Sequence, residues 1–133
     1  MKTAATTIAL DQKAYLITGP AGIGKSALAL ALMERGGQLV SDDVTDIQDG
    51  YAFAPQYCRG CLEVRGIGIV SGLPVCEKAP VAAEIRITPE KPERIPVCEA
   101  KSIPAFTVWA EDKNQADKVM IIHRILEQKL TLK

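Results

Sequence analysis

The sequence lacks net charge and long apolar segments. Sixteen Lys and Arg residues balance sixteen Asp and Glu residues over 133 positions. The chain therefore has no positive field that could hold a polyanion, and we expect no nucleic-acid partner. No segment approaches the roughly 18 apolar residues of a membrane span, and the residues after Met1 are not typical of a signal peptide. We therefore expect a cytoplasmic protein with no membrane partner.

A complete metal-binding motif is also missing. Cys58 and Cys61 have the spacing of half a zinc site, but no second close pair and no nearby histidine supplies the other half. Thiols in a reducing compartment usually stay free. We therefore expect Cys58, Cys61, Cys76 and Cys98 to be free thiols, with a metal at the first two as the alternative.

The composition is that of one folded domain. Hydrophobic residues make up 47% and charged residues 24%, which is ordinary for a globular protein. The length suits a single domain over residues 1–133. Two helices are predicted, an apolar one over 25–35 and an amphipathic one over 114–129. The predicted strands are 6–10, 14–18, 38–41, 44–47, 51–54, 61–64, 67–70, 81–87 and 105–109.

The order of these elements predicts an α/β fold. Strands 6–10 and 14–18 form a hairpin, and strand 14–18, helix 25–35 and strand 38–41 form the unit of a parallel crossover. The four short strands from 44 to 70 are expected to form one β meander. The proline-rich segment 88–96 is predicted to be a surface loop.

A phosphate-binding loop is predicted at residues 19–26, which are Gly19, Pro20, Ala21, Gly22, Ile23, Gly24, Lys25 and Ser26. Its glycines accept positive φ and leave backbone N–H groups unobstructed, and the following helix directs its positive end to the same place. Lys25 would reach the β- and γ-phosphates, and the Ser26 hydroxyl would ligate Mg²⁺. The motif predicts binding of a nucleotide, most simply ATP with Mg²⁺.

An acidic pair follows the strand predicted at 38–41. Phosphoryl transfer needs a carboxylate for the metal or for the attacking group, and Asp42 and Asp43 are the candidates. Adjacent residues of a strand point to opposite faces, so only one of them can face the phosphates. The pattern alone leaves open which one, and a solvated acidic turn is the alternative.

Three segments, in this order, resemble the catalytic domain of HPr kinase/phosphorylase, the bacterial enzyme that phosphorylates a serine of the phosphocarrier protein HPr. They are residues 19–26, residues 35–43 (Arg-Gly-Gly-Gln-Leu-Val-Ser-Asp-Asp) and residues 62–70 (Leu-Glu-Val-Arg-Gly-Ile-Gly-Ile-Val). The third matches the family signature. The resemblance extends over residues 1–98 and is greatest to the short alphaproteobacterial form, which lacks the separate N-terminal domain.

The resemblance implies a fold and a set of functional residues. The fold is a P-loop kinase core like that of HPr kinase and phosphoenolpyruvate carboxykinase, with a mixed sheet, a buried P-loop helix and a C-terminal helix. Asp43 would be the catalytic acid/base, because it lies seventeen residues after Ser26 as in the family. Ser26 and Glu63 would bind Mg²⁺. The remaining catalytic residues that it implies are Lys25, Arg65 and Arg94, although a solvated loop charge also explains Arg94.

Two features depart from the family pattern. Ala4 stands where the family usually has a histidine, and nothing near residues 109–114 matches the loop that the family uses for dephosphorylation. The chain's single histidine, His123, matches nothing in the family. We expect His123 and Trp109 to be packing residues.

The function that the resemblance implies is an ATP- and Mg²⁺-dependent serine kinase, with phosphorylase activity left open. Its partner would be HPr or an HPr-like phosphocarrier, and its role the regulation of carbohydrate metabolism. Full-length family members form hexamers, so a homo-oligomer is expected. One alternative is a nucleotide-binding module that has lost catalysis, which Ala4 and the missing loop suggest. Another is a kinase for a different substrate, because the terminal helix does not match the family.

Overall fold

The computed structural model describes residues 1–55, 60–64, 66–91 and 103–128. Three strands precede the first helix: β1 (Lys2–Ala4), β2 (Thr6–Leu10), β3 (Lys13–Thr18) and then α1 (Lys25–Met33). Six strands follow: β4 (Gln38–Ser41), β5 (Val44–Gln48), β6 (Tyr51–Phe53), β7 (Cys61–Val64), β8 (Gly68–Ser71) and β9 (Lys78–Thr88). The last two described elements are β10 (Ala105–Trp109) and α2 (Gln115–Gln128).

Eight of the strands form one mixed sheet. Its order is β1-β5-β6-β9-β3-β2-β4, and β10 pairs with β9. β9 is parallel to both β3 and β10, whereas β2 is antiparallel to both β3 and β4. The carboxyl ends of β3, β4, β9 and β10 therefore lie at one edge of the sheet. The segments that follow these strands begin at that edge.

The two faces of the sheet are packed differently. One face packs against α1 and α2: its large side chains, among them Ile8, Tyr15, Ile17, Ile85 and Phe106, form a core with Leu28 and Leu32 of α1 and Val119 of α2. The other face carries a cluster rich in alanine: Ala5, Ala9, Ala14, Leu16, Val40, Ala52 and Ala79. Small side chains let the backbone of β2 approach that of β5, and the hydroxyl oxygens of Thr7 and Thr45 lie 2.7 Å apart.

A hydrogen-bond chain, buried at Tyr15 and His123 and exposed at Asp11, ties α2 to the β2–β3 hairpin. The Tyr15 hydroxyl lies 2.6 Å from Nδ1 of His123, and Nε2 of His123 lies 2.7 Å from Oδ2 of Asp11. A carboxylate only accepts, so Nε2 carries a hydrogen; in this tautomer Nδ1 accepts the hydrogen bond of the Tyr15 hydroxyl. Burial, with the nearby charges of Glu127 and Asp11, raises the pKa of Tyr15 far above its usual value. The phenol therefore stays protonated and remains a donor.

The mixed α/β class, with a sheet and a C-terminal helix, is confirmed. Strands β2, β4, β7 and β10 have the predicted bounds. α1 ends at Met33 instead of residue 35, because Gly36 takes a φ of 96° and the N–H of Gly37 bonds the Leu32 carbonyl. Neither α1 nor α2, the helices of the described residues, is both long and apolar enough to cross a bilayer.

Three expectations about the strands were incomplete or wrong. β1 was not predicted, since three residues carry little pattern. The single meander is wrong: β7 and β8 form a separate two-stranded sheet. In a single meander β7 would pair with β6, but β9 already occupies that edge of β6. The crossover from β3 to β4 exists, but β2 lies between the two strands. Of the predicted loop 88–96, residues 92–96 lie outside the described part.

The Tyr15–His123 contact yields a stability prediction. His123→Ala should lower the free energy of unfolding by about 2–3 kcal/mol, because the buried hydroxyl loses its acceptor and a cavity remains. Tyr15→Phe, which removes only the donor, should cost about 1 kcal/mol. Urea unfolding followed by circular dichroism measures both. The double variant should cost less than the sum; additive costs would show that the two groups do not interact.

Candidate active site

The loop after β3 lies tightly against β9. Gly19 has a φ of 150°, and a Cβ at this position would lie 2.9 Å from the Ile87 carbonyl oxygen and 2.9 Å from Cγ2 of Ile23. Gly24 has a φ of 111° immediately before α1. A side chain is therefore excluded at Gly19 by contact and disfavoured at Gly24 by conformation. The glycines of the motif are explained by the path of the backbone.

The N-terminus of α1 directly follows this loop and faces the pocket beside it. Its N-cap residue is Gly24, no side chain caps the helix, and the first turn contains no acidic residue. The first N–H groups of a helix have no partner within it, and they add to the positive end of the helix dipole. Such a terminus is suited to receive an anion.

A pocket of about 290 Å³ brings together seven of the predicted site residues, and four of these contribute a polar or charged side chain. Lys25 and Ser26 come from the start of α1, Asp43 from the turn after β4, and Glu63 from β7. The remaining lining residues are Ala21, Gly22, Gly24, Ala27 and Val64. One ammonium, one hydroxyl and two carboxylates thus surround the N-terminus of α1.

The Lys25 ammonium is held across the opening of the loop. Its Nζ donates to the carbonyl oxygens of Gly19, at 2.9 Å, and Pro20, at 3.2 Å. A phosphate oxygen is a stronger, charged acceptor than a carbonyl. A phosphate entering the loop would therefore compete successfully for this ammonium.

Asp42 does not line the pocket but joins the elements that do. It is 8% exposed. Its Oδ1 accepts from the Thr6 hydroxyl at 3.0 Å and, more weakly, from the Ser26 hydroxyl at 3.5 Å. Its Oδ2 accepts from the backbone N–H of Glu63 at 2.9 Å. The sequence marked Asp42 as a candidate carboxylate and gave no signal of this linking role, because its partners come from three separate elements.

The two aspartates point apart because of the turn that follows β4, and not because of the alternation of side chains along a strand. β4 ends at Ser41, and the N–H of Val44 donates to the Asp42 carbonyl at 2.7 Å with Asp43 at a φ of 62°. This bond spans only two residues, as in a γ-turn, which is uncommon and strained. Such strain is found preferentially at functional sites. The turn directs Asp43 into the pocket while Asp42 stays buried.

The donor set of the pocket fits a magnesium ion. The Ser26 hydroxyl and the Glu63 carboxylate are hard oxygen ligands, and Mg²⁺ in nucleotide sites usually takes one or two protein carboxylates together with phosphate and water oxygens. Within the described ranges, no group of three or more His, Cys, Asp or Glu residues could hold a metal ion by itself. The residues thus suit an ion shared with phosphates.

Ala4 lies beside the strained turn. It is the Cα partner of Val44 in the β1–β5 pair, and Val44 directly follows Asp43. The position at which the sequence departs from the family's histidine is therefore close to the pocket. Alanine offers no ionisable group there.

The remaining predicted residues fall into two groups. Cys61 is an exposed and Cys76 a half-buried free thiol, and His123 is a buried packing residue as expected. The other sequence candidates lie outside the described residues: Cys58, Cys98, Arg65 and Arg94.

Known proteins resemble this chain in sequence. The family model of the HPr Serine kinase C-terminal domain matches residues 4–87. An HPr kinase/phosphorylase of Clostridium botulinum (strain Eklund 17B / Type B) is 34% identical over 116 residues, which cover 84% of this chain and 34% of the relative. That of Clostridium novyi (strain NT) is 44% identical over 89 residues, 59% of this chain and 29% of the relative. The chain thus spans about a third of the length of the curated relatives it matches.

A solved structure extends the likeness to nearly the whole chain. The HPr(Ser) kinase/phosphatase from Coxiella burnetii superimposes with a TM-score of 0.78 at 27% identity, covering 98% of each chain. Strand β10 and helix α2, which lie beyond the family-model match, fall within this coverage because so little of the chain is left out. With the family model matching more than half of its residues, the chain belongs to the HPr serine kinase C-terminal domain family.

Proposed function

We propose that this chain is the catalytic domain of a serine kinase that uses ATP and Mg²⁺ and acts on HPr or an HPr-like phosphocarrier protein. The observation that carries the proposal is that Lys25, Ser26, Asp43 and Glu63 line one pocket at the N-terminus of α1. Membership of a serine kinase family supports the same chemistry. We extend this proposal to residues 1–133 as one domain.

The phosphates would bind at the glycine loop. Backbone N–H groups of the loop and of the first turn of α1 supply donors that need no reorganisation, and Lys25 adds a full positive charge. Ser26 and Glu63 would hold Mg²⁺, which neutralises charge on the phosphates when bound. Asp42 would position both residues, since it accepts from the Ser26 hydroxyl and from the Glu63 backbone.

Transfer would follow from the position of Asp43. Its carboxylate lines the same pocket as Lys25, where it would orient the substrate serine and accept its hydroxyl proton while the γ-phosphoryl group moves to the serine oxygen. We assign Arg65 and Arg94 to the phosphoryl oxygens from the family resemblance.

The wider biological assignment follows the family. We propose a cytoplasmic role in regulating carbohydrate metabolism, with assembly into a homo-oligomer. A second candidate function is nucleotide binding without catalysis. It is favoured by Ala4, which places no ionisable group beside the turn that carries Asp43. For the same reason we expect slow turnover even if the chain is an active kinase.

The first prediction concerns the loop lysine. Lys25→Ala should weaken Mg·ATP binding about 10- to 100-fold, because a charge-assisted hydrogen bond is worth roughly 1.5–3 kcal/mol. Isothermal titration calorimetry measures the affinity. Lys13→Ala is the matched control, since Lys13 begins β3 and pairs with Glu127 at 3.1 Å. Unchanged affinity in a folded Lys25→Ala protein would contradict phosphate binding at the loop.

The second prediction concerns the metal. Glu63→Gln should reduce the gain in ATP affinity that Mg²⁺ provides, because a neutral amide is a poorer ligand than a carboxylate for a hard cation. Titrations with and without Mg²⁺ measure that gain. Glu34→Gln, at the C-terminal end of α1, should leave it intact. An equal Mg²⁺ effect in Glu63→Gln and in the parent would exclude Glu63 as a ligand.

The third prediction separates the two aspartates. Asp43→Asn should retain ATP binding and stability but lose about 10²- to 10⁴-fold in phosphoryl transfer, the usual contribution of a positioned base. Asp42→Asn should instead lower thermal stability, because an amide cannot accept from all of the donors that Asp42 serves. The measurements are transfer of labelled phosphate from ATP to HPr and thermal unfolding.

The parent protein decides between the candidate functions in the same assay. A parent that binds ATP but transfers nothing to HPr supports the binding module or a different substrate. An active Asp43→Asn beside a stable, inactive Asp42→Asn would reverse the roles assigned to the two carboxylates.

A further inference from the structure

The hairpin of β7 and β8 exposes two isoleucines to solvent. Ile67 is 76% and Ile69 is 75% exposed, and among the large hydrophobic side chains of the described residues only that of Met1 is more exposed. Single exposed apolar residues are ordinary, whereas neighbouring ones often mark a contact surface. Ile67 and Ile69 lie two residues apart in one hairpin, and we refer to them as the isoleucine pair.

The isoleucine pair does not attach the hairpin to the rest of the molecule. Leu62, Val64 and Val70 do so, because they pack into the core beside α1. Ile69 precedes Val70 in β8 and therefore points away from that core. Strand propensity alone would account for an isoleucine at Ile69. It does not account for Ile67, which lies in the turn between two glycines of positive φ, where small or polar residues are usual.

The register of the hairpin places Ile69 beside the pocket. Ile69 is the Cα partner of Glu63, and directly paired residues of antiparallel strands project from the same face with their Cβ atoms about 5 Å apart. Glu63 lines the pocket at the N-terminus of α1, whereas neither residue of the isoleucine pair does. Ile69 therefore lies at the rim of the pocket, outside the space that would hold the phosphates.

A folded protein substrate has to contact this rim. Under the proposed function, the substrate serine must reach Asp43, which lines the same pocket as Glu63. A serine that enters a pocket of about 290 Å³ brings the protein surface around it against the surrounding rim. The glycine loop and the start of α1 would already be covered by the nucleotide in that complex. The hairpin is the pocket-lining element left to receive the protein.

We propose that Ile67 and Ile69 are the docking contact for the protein substrate, on an apolar part of its surface that borders the target serine. The inference rests on the proposed kinase function and adds the residues that bind the substrate outside the pocket. Removal of apolar surface from water on both partners drives such a contact. The isoleucine pair would therefore contribute affinity for the protein substrate and take no part in phosphoryl transfer or in nucleotide binding.

Replacement of the isoleucine pair by threonine tests the docking contact. Threonine keeps the β-branched shape that suits a strand and reduces the apolar area. In the phosphorylation of HPr, the double variant Ile67→Thr, Ile69→Thr should raise the KM for HPr about tenfold with little change in kcat, as expected for lost apolar burial in substrate binding. Its affinity for Mg·ATP and its thermal unfolding should match those of the parent. Ile67→Val, Ile69→Val should restore most of the affinity for HPr.

The matched control is Tyr51→Thr, which also removes an exposed apolar side chain. Tyr51 is 43% exposed, but it pairs with Pro80 near the start of β9. Because β3 is parallel to β9, this position lies at the sheet edge opposite the phosphate loop that follows β3. Tyr51→Thr should leave the KM for HPr unchanged.

The outcomes separate the docking contact from the kinase function. A double threonine variant with the KM of an active parent would overturn the docking contact and leave the kinase function intact. An equal rise of KM in Tyr51→Thr would overturn it too. So would a change of oligomeric state in the double variant, measured by light scattering, because it would assign the isoleucine pair to a contact between copies of the chain. A parent that binds Mg·ATP but does not phosphorylate HPr would refute the proposed substrate, and the docking contact with it.

Discussion

The buried carboxylate of Asp42 is the contact on which the candidate site depends. It accepts from Thr6 of β2, from Ser26 of α1 and from the Glu63 backbone of β7. Burying a carboxylate is costly unless hydrogen bonds replace the lost water, and these donors provide that compensation. Because the bonds come from the sheet, the helix and the separate hairpin, they fix the relative position of all three. Asp42, which does not line the pocket, thereby sets the distance between Ser26 and Glu63, which do.

The Thr6 hydroxyl extends this arrangement to the strained turn. It donates to Asp42 Oδ1, and it accepts from the N–H of Asp43 at 3.4 Å. Thr6 is completely buried, so its hydroxyl has a defined position from which to hold both aspartates. The left-handed conformation of Asp43 costs free energy and persists only where the surroundings impose it. The buried contacts of Thr6 and Asp42 therefore keep the Asp43 side chain directed into the pocket.

The sequence predicted what is encoded locally. The spacing of residues 19–26 specifies a backbone path, and both Gly19 and Gly24 occupy positions where a side chain is unfavourable. The bounds of β2 and β10 follow from their own apolar pattern. β7 and β8 pair only with each other because β9 occupies the free edge of β6. No local sequence pattern contains that information. The linking role of Asp42 was hidden for the same reason. Arg65 and Arg94 stay predictions, since they lie outside the described residues.

Helix α2 shows why the sequence resemblance covers less of the chain than the structural resemblance does. A helix that covers a sheet needs apolar residues at the correct spacing, here Val119 and Ile122, and many combinations of similar volume satisfy that need. Pocket residues such as Lys25 must instead supply one chemical group at one place. The family model accordingly matches only residues 4–87, whereas the solved relative covers 98% of the chain. The hydrogen bond from Tyr15 to His123 then orients α2 in a way that apolar packing alone does not specify.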